Sequence, residues 1–332
     1  MGKKFLALLT VLVLVNIAWV LLPQAVPAAT RMNSAYSSSG GEQALPYIAK
    51  RAGLFAKYGL DVDLLFISGG STTIQAMIAG DVPISQVAGP AVVQARLAGS
   101  DVVFVAGVLN TLIQNVITAP DITRPELLKG KKFAISRFGS ESDFAARLAL
   151  KKMGLDPQKD VTLLQIGGQT ARYVALKGGS IQATLLLPPL HMMARSEGFH
   201  ILASMAEMGI PYQSTGIATP RAYIREHREV VMNYLKGYLE AIQYYRKHKP
   251  EVVRMLSDFL KLKDQKQIEA AYESYVKLYA WPPYPTAEGM QTILDVTAPT
   301  NPKAKEARAE DAVTTEFVRE LEQTGFLRSV SR

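Results

Sequence analysis

Between Arg31 and Thr219, short branched apolar runs alternate with stretches whose apolar residues recur every third or fourth position. That alternation predicts β-α units. The clearest unit spans Gly53–Ser85. Val62–Ile67 reads as a buried strand, Gly69-Gly70 interrupts it, and Thr72-x-x-Gln75 reads as a capping box that opens a helix. Ile74, Met77 and Ile78 give that helix an apolar face, and Gly80 ends it before a strand at Val82–Ile84. The pattern recurs in Ile166–Ala183, where Gly167, Gly168, Thr170 and Gly178 align without gaps on Gly69, Gly70, Thr72 and Gly80 (167 − 69 = 98 residues apart). An internal repeat of this kind predicts two similar lobes, each presenting a helix N-terminus to the space between them.

The remaining pattern fills in both lobes. Strands are expected at Arg31–Tyr36, Val102–Val108, Asn115–Thr118, Lys132–Ile135, Val161–Ile166, Thr184–Leu187 and Phe199–Ala203. Helices are expected at Gln43–Lys57, at Pro90–Ala98, from Ser140-x-x-Asp143 to Gly154, and from Pro188-Pro189 to Gly198. The Pro- and Asp-rich run Ala119–Pro125 marks a boundary, and the polar stretch Tyr212–Thr219 reads as a return crossing. From Pro220 the pattern turns to helices alone: Arg228–Lys247, one restarting at Pro250, Asp264–Ala280, Thr286–Val296 and Asp311–Leu321. The expected organisation is lobe one at 29–118 plus 217–332 and lobe two at 119–216. Hinges are expected near Thr118–Asp121 and Gln213–Thr219.

Chemistry is expected where strands end. Ser37, Ser38 and Ser39 follow the first strand directly, the place where open α/β sheets bind ligands. Gly70-Ser71, Gly139-Ser140 and Gln169 stand at helix N-termini. Arg137 precedes one of these and is either an anion clamp or a solvated arginine, because Glu141 and Asp143 already complement the helix dipole there. Arg172 reads as a surface residue. Tyr36, Phe138 and Tyr173 are candidates for stacking on a planar ligand, with core packing as the plainer reading. His191 reads as a lone exposed or capping histidine.

Composition narrows the classes. The 332 residues are 48% apolar, enough for two domains. A net charge of +8 is scattered along amphipathic helices without a basic run, which argues for a solvated surface and against nucleic acid. The count of zero cysteines excludes disulfides, thiolate metal sites, a cysteine nucleophile and a lipid-modified cysteine anchor. No HExxH, calcium loop, GxSxG or Walker pattern occurs, so neither a metal nor a cofactor is expected. Lys3-Lys4, the apolar run Phe5–Leu22 and Val26-Pro27-Ala28 make residues 1–28 a Sec-type signal peptide, with an uncleaved N-terminal anchor as the alternative. Either reading places the mature chain outside the cytoplasm, in the periplasm, with no other membrane attachment of its own.

Three stretches carry a family resemblance. These are Gly53-Leu54-Phe55-Ala56-Lys57-Tyr58-Gly59-Leu60-Asp61-Val62, the partial elements Ile78-Ala79-Gly80-Asp81 and Leu176-Lys177-Gly178-Gly179, and the second-lobe opening Lys129–Ala134. The chain resembles the substrate-binding proteins of ABC importers, in the branch that handles sulfonates, nitrate, taurine and thiamine-pyrimidine precursors. The resemblance covers almost all of the mature chain and is strongest from Tyr47 to Leu187. It implies a type II Venus-flytrap, an α/β periplasmic binding protein with its C-terminal helices packed on lobe one. It further implies closure on a small anionic or aromatic molecule and delivery to a permease partnered by an ATPase subunit. Ligand contacts implied by position are Ser37–Ser39, Gly70-Ser71, Gln86 with Gly89, Asn110, Gly139-Ser140, Gln169 and Pro188. Two alternatives stay open: a pyrimidine-precursor-synthase-like enzyme, which the missing cysteines disfavour, and a sensory ligand-binding domain.

Overall fold

The computed structural model describes residues 28–332, so the expected signal peptide lies outside the described residues apart from Ala28. The chain begins with β1 (Thr30–Tyr36), α1 (Leu45–Arg51), α2 (Leu54–Lys57), β2 (Leu60–Phe66), α3 (Gly70–Ile78), β3 (Ile84–Ala88), α4 (Gly89–Leu97) and β4 (Val102–Thr111). It continues through β5 (Asn115–Thr118), β6 (Lys131–Ile135), α5 (Glu141–Lys152), β7 (Val161–Gln165), α6 (Gln169–Lys177), β8 (Ala183–Leu186), α7 (Leu190–Ser196) and β9 (His200–Ser204). Last come β10 (Pro211–Pro220) and helices α8 (Arg221–Lys247), α9 (Lys249–Leu260), α10 (Gln265–Val276), α11 (Ala287–Thr297), α12 (Glu316–Gln323) and α13 (Phe326–Ser331).

These strands form two sheets of one design. The first runs β2-β1-β3-β10-β4 and the second β7-β6-β8-β5-β9. In each, three parallel strands are continued by two antiparallel ones. β1 pairs in parallel with β2 and β3, while β10 runs antiparallel to β3 and β4. β6 pairs in parallel with β7 and β8, while β5 runs antiparallel to β8 and β9. The repeated sequence unit is β2-α3-β3 in one sheet and β7-α6-β8 in the other. The two strands of each unit run parallel on either side of a third, so the chain must cross over between them through a helix, in both sheets alike.

Several elements differ from expectation, each for a local reason. Gln43–Lys57 is three pieces, because Gly53 adopts φ 71° and stops one helix before the next begins. Thr72 does not cap α3: the helix begins two residues earlier, behind Gly69 at φ 94°, and the Thr73 hydroxyl donates to the carbonyls of Ile67 and Gly69. The strand expected at Val82–Ile84 is Ile84–Ala88. Tyr212–Thr219 is no crossing but a central strand, buried throughout because sheet partners lie on both sides. Some of its polar side chains are satisfied internally, as where Thr219 Oγ1 donates to the Pro83 carbonyl at 2.9 Å, while the Tyr212 hydroxyl and Thr215 Oγ1 are buried without a partner among the described residues.

The crossings therefore sit earlier than expected. β5 already pairs in the second sheet and β10 already pairs in the first. The chain passes between sheets at residues 112–114 and 205–210, not at Thr118–Asp121 and Gln213–Thr219.

Tertiary packing follows the apolar faces. α8 lays Tyr234, Tyr238 and Leu239 against the first lobe, where the rings of Tyr234 and Phe55 stack with centroids 4.7 Å apart. Gly237 permits that approach, since a Cβ there would stand 2.9 Å from the Phe55 ring. The helix begins before the expected Arg228, at Arg221, and bends at His227, whose φ of −134° is non-helical. Near the crossings Phe144 of α5 stacks on Tyr212 of β10 at 5.1 Å, which joins the two lobes through one apolar cluster.

Candidate functional site

The parallel strands of both sheets deliver their C-terminal ends to one shared cavity of about 50 Å³. The first lobe contributes Ser37 and Ser38 after β1, Glu42 and Gln43 in the 3-10 turn Gly41–Gln43, Gly69-Gly70 before α3, and Ala88 at the end of β3. The second contributes Ser136 after β6, Ser140–Ser142 at the start of α5, Gly168, Gln169 and Arg172 of the α6 unit, and Leu185 and Leu187 around the end of β8. Gln114 enters from the first crossing. The lobes are closed on one another. A Cβ on Gly69 would stand 2.9 Å from Arg137 Cγ across the cleft. Ser214 of β10 donates its hydroxyl to Glu141 of α5.

The loop after β1 is held by its own chain. Ser37 N–H donates to Gln43 Oε1 at 3.1 Å, and Gly40 N–H donates to Ser38 Oγ at 3.1 Å. That tight turn swings Glu42 into the cavity, where it is 2% exposed. Gly40 leaves room for that carboxylate: a Cβ there would overlap Glu42 Oε2 and approach Gln169 Nε2 at 2.5 Å. Gln86 lies beneath and donates to the Glu42 carbonyl at 2.9 Å, while Tyr238 donates its hydroxyl to Gln86 Oε1. Gln86 therefore positions the backbone of Glu42.

Across the cavity, Ser136, Ser140 and Ser142 form a hydroxyl cluster, with Ser136 Oγ 2.7 Å from Ser140 Oγ and 2.8 Å from Ser142 Oγ. Ser136 N–H donates to Ser142 Oγ and Gly139 N–H to Asp143 Oδ2. Gln169 Oε1 accepts from Leu187 N–H at 3.1 Å. Arg172, expected at the surface, is 5% exposed and donates to Thr184 Oγ1, the Gly167 carbonyl and the Leu185 carbonyl at 3.1, 3.0 and 3.1 Å. Its helical face is the one packed on β8, and the carbonyls around the Gly167 turn satisfy the guanidinium there.

The buried charges perturb one another. Burial pushes the Glu42 carboxyl from 4.5 to about 7. That value is the balance of burial and Glu141, which raise it, against the Ser38 hydroxyl, its own backbone and Arg172, which lower it. Burial also raises Glu141, against hydrogen bonds from Ser214 and Gln114. Burial lowers Arg172 to about 10, with Glu42 opposing that shift. Two buried carboxyls that act on each other, with one guanidinium beside Glu42, make this the electrostatic focus of the cavity.

Of the residues expected to bind ligand, Ser37, Ser38, Gly70, Ser140 and Gln169 line the cavity. Ser39 lies at its edge, near Gly168. Ser71 follows in the first turn of α3, outside the wall. Gly89 abuts Ile293 and the Gln213 carbonyl, and Asn110 donates to the Tyr284 carbonyl at 3.2 Å. Pro188 offers its carbonyl to the Tyr275 hydroxyl at 2.8 Å, and Gly139 packs on Gln94. Arg137 is exposed and its stem lies over Gly69 at the rim of the cavity, outside the lining itself. Tyr36 packs on Phe66 and Phe259, Tyr173 is core, and Phe138 is 49% exposed. His191 is half-buried, and burial holds its pKa below the usual range. Among the described residues no group of three or more His, Cys, Asp or Glu side chains is placed to hold a metal ion.

Sequence reasoning missed Glu42, Gln114 and the inward Arg172, and it read Glu141 only as a dipole complement. A signal did exist for Glu42, an acid set directly after Ser37–Gly41 in the loop singled out as a ligand site. Gln114 had none, since a crossing residue shows no periodicity.

Two lobes of like topology, closing strand-end loops on a cavity, define a two-lobe α/β protein of the periplasmic binding protein fold. The chain belongs to the NMT1/THI5-like family, whose model matches residues 42–252. It is 26% identical over 262 residues to the putative binding protein YtlA of Bacillus subtilis, covering 75% of this chain and 78% of that one. It is 25% identical over 200 residues to a putative ABC transporter periplasmic binding protein of Brachyspira hyodysenteriae, covering 56% of this chain and 57% of the other. Among solved structures it is similar to the alkanesulfonate-binding protein SsuA of Xanthomonas axonopodis bound to MOPS. That match has a TM-score of 0.71 and 18% identity, and covers 88% of this chain and 99% of that one.

Proposed function

We propose that this chain is the exported solute receptor of an ABC importer, binding a small polar molecule between its lobes without transforming it. The observation that carries the reading is the shared cavity, whose wall needs both lobes at once. A ligand held by both lobes has higher affinity for the closed state than for the open one, and that difference drives closure. Residues 28–111 with 211–332 would move against residues 115–204 about the crossings at 112–114 and 205–210. Ser37, Ser38, Glu42, Gly70, Gln114, Ser140, Glu141, Gln169 and Arg172 would contact the ligand. The closed form would dock on a membrane permease with its ATPase subunit, in the periplasm. Similarity to a periplasmic ABC component and to an alkanesulfonate-binding protein supports this role.

A thermal-shift screen of the chain from Ala29 onward tests it. The panel is sulfonates, nitrate, aromatic carboxylates, amino acids, pyrimidines and small amines, with each compound also assayed for conversion. One class should raise Tm by an amount that grows with concentration, and be recovered unchanged. Conversion of a compound would favour the enzyme. A panel without any hit would overturn the receptor.

A further inference from the structure

We propose that the solute is a small organic cation rich in N–H donors, an amidinium, guanidinium or primary ammonium, gripped by Glu42 from one lobe and Glu141 from the other. This rests on the receptor reading above and names its ligand class. It runs against the anionic half of the expectation of an anionic or aromatic solute that the family resemblance implies.

Three features of the cavity carry it. Unpartnered atoms come first. Two buried side-chain atoms on its wall lack a hydrogen-bond partner among the described residues, Glu42 Oε2 and Gln114 Oε1. Both are acceptors. The amide nitrogen end of Gln114 faces Glu141, which assigns the orphaned end as the carbonyl oxygen. Buried polar atoms are almost always satisfied, so two orphaned acceptors on one wall call for a donor supplied by the ligand.

Charge gives the second feature. With Glu42 and Glu141 ionised and Arg172 protonated, the wall carries −2 + 1 = −1. A monocation makes the closed cavity neutral, whereas an anion would add a third negative charge beside two carboxylates. Arg172 is poorly placed to change that balance, since three of its N–H groups already serve Thr184 and two backbone carbonyls. The positive end of α5 is similarly engaged, whereas the first turns of α3 and α6 carry neither an acid nor a side-chain cap. Glu141 and Asp143 occupy the first turn of α5, and the Ser136 and Gly139 N–H groups before it are taken by Ser142 and Asp143. Arg137, the other candidate for anion recognition, lies outside the cavity.

Size is the third feature. A space of about 50 Å³ admits only a few heavy atoms in this closed form. It suits the head of an amidinium or alkylammonium, with Ala88, Leu185 and Leu187 as the only sizeable apolar wall.

Isothermal titration at pH 8 with acetamidinium, methylguanidinium and propylammonium tests the proposal, set against acetamide, methanesulfonate and nitrate. At least one cation should bind while the uncharged amide and both anions do not. Glu42→Gln should weaken that cation about 100-fold, and Glu141→Gln by a similar factor. The ligand-free Glu42→Gln protein should melt no lower than the parent at pH 8, because it loses a buried charge whose desolvation outweighs its attraction to Arg172. That readout separates lost recognition from lost folding. Binding of an anion but no cation overturns the proposal and leaves the receptor standing. Equal binding of acetamide and acetamidinium, or a cation indifferent to Glu42→Gln, overturns it in the same way. If neither this set nor the broad screen yields any ligand, the receptor reading falls and takes the proposal with it.

Discussion

Ser214 in the central strand of the first lobe donates its hydroxyl to Glu141 at the first turn of a second-lobe helix. Glu141 is thus at once a wall of the cavity and a tie between the lobes, so ligand contact and closure share one side chain. Ser214→Ala removes the tie while leaving the cavity wall intact. A hydrogen bond to a charged group contributes about 1.5–3 kcal/mol. Closure should weaken accordingly, read as a larger radius of gyration in X-ray scattering of the ligand-free protein, and affinity should fall about tenfold. An unchanged radius would show that this bond does not hold the lobes.

Glu42 predicts a pH dependence. Its carboxyl titrates near 4.5 when solvated and at about 7 in the fold, where it faces Glu141, Arg172, Ser38 and the hydroxyl-bearing rings of Tyr275 and Tyr279. Between those values the native state binds more protons than the unfolded chain, so stability falls as pH rises through this window. The loss approaches about 3 kcal/mol and levels off above pH 7. Urea midpoints of ligand-free protein from pH 4.5 to 8 check this, and Glu42→Gln should flatten the slope.

Arg172 is a strut as well as a charge. Replacing it with methionine leaves the Gly167 and Leu185 carbonyls and the Thr184 hydroxyl short of a donor and removes the cation beside Glu42. Destabilisation of about 3 kcal/mol is expected in denaturant titrations. Arg172→Lys should recover less than half, because an ammonium cannot reach three acceptors in one plane.

Gly40→Ala should abolish ligand response without unfolding either lobe. The added methyl would overlap the Glu42 carboxylate and crowd the Gln169 amide, so those two side-chain ends must leave their places on the cavity wall. The measurement is circular dichroism beside the thermal-shift assay. An unaltered spectrum with no ligand shift is expected, and retained binding would show that these side chains can yield without loss of the site.

Arg137→Ala serves as the counterpart. Its side chain lies outside the cavity, so affinity for any ligand should stay within about twofold. A larger loss would restore Arg137 to the site.

Much of the architecture was legible in the chain. Gly69-Gly70 and Gly167-Gly168, with apolar runs before and after them, determined two β-α-β units of like topology, and local backbone preference is enough for that. The C-terminal change to helical spacing likewise determined the layer that α8 opens. Strand-end loops at Ser37–Ser38, Gly70, Ser140 and Gln169 were legible because open α/β sheets present those ends to ligands. Tertiary structure alone decided the rest. Tyr212–Thr219 is polar in sequence, yet it became a central strand because β3 and β4 satisfy its backbone on both sides. Arg172 reads as solvated by periodicity, yet it turned inward because acceptors from the Gly167 turn and from β8 meet there. Glu42, Gln114 and Glu141 are far apart in the chain and became one acidic, acceptor-rich wall only when the two lobes met. Burial and the proximity of charge exist only in the folded molecule, and so the character of the cavity was decided there.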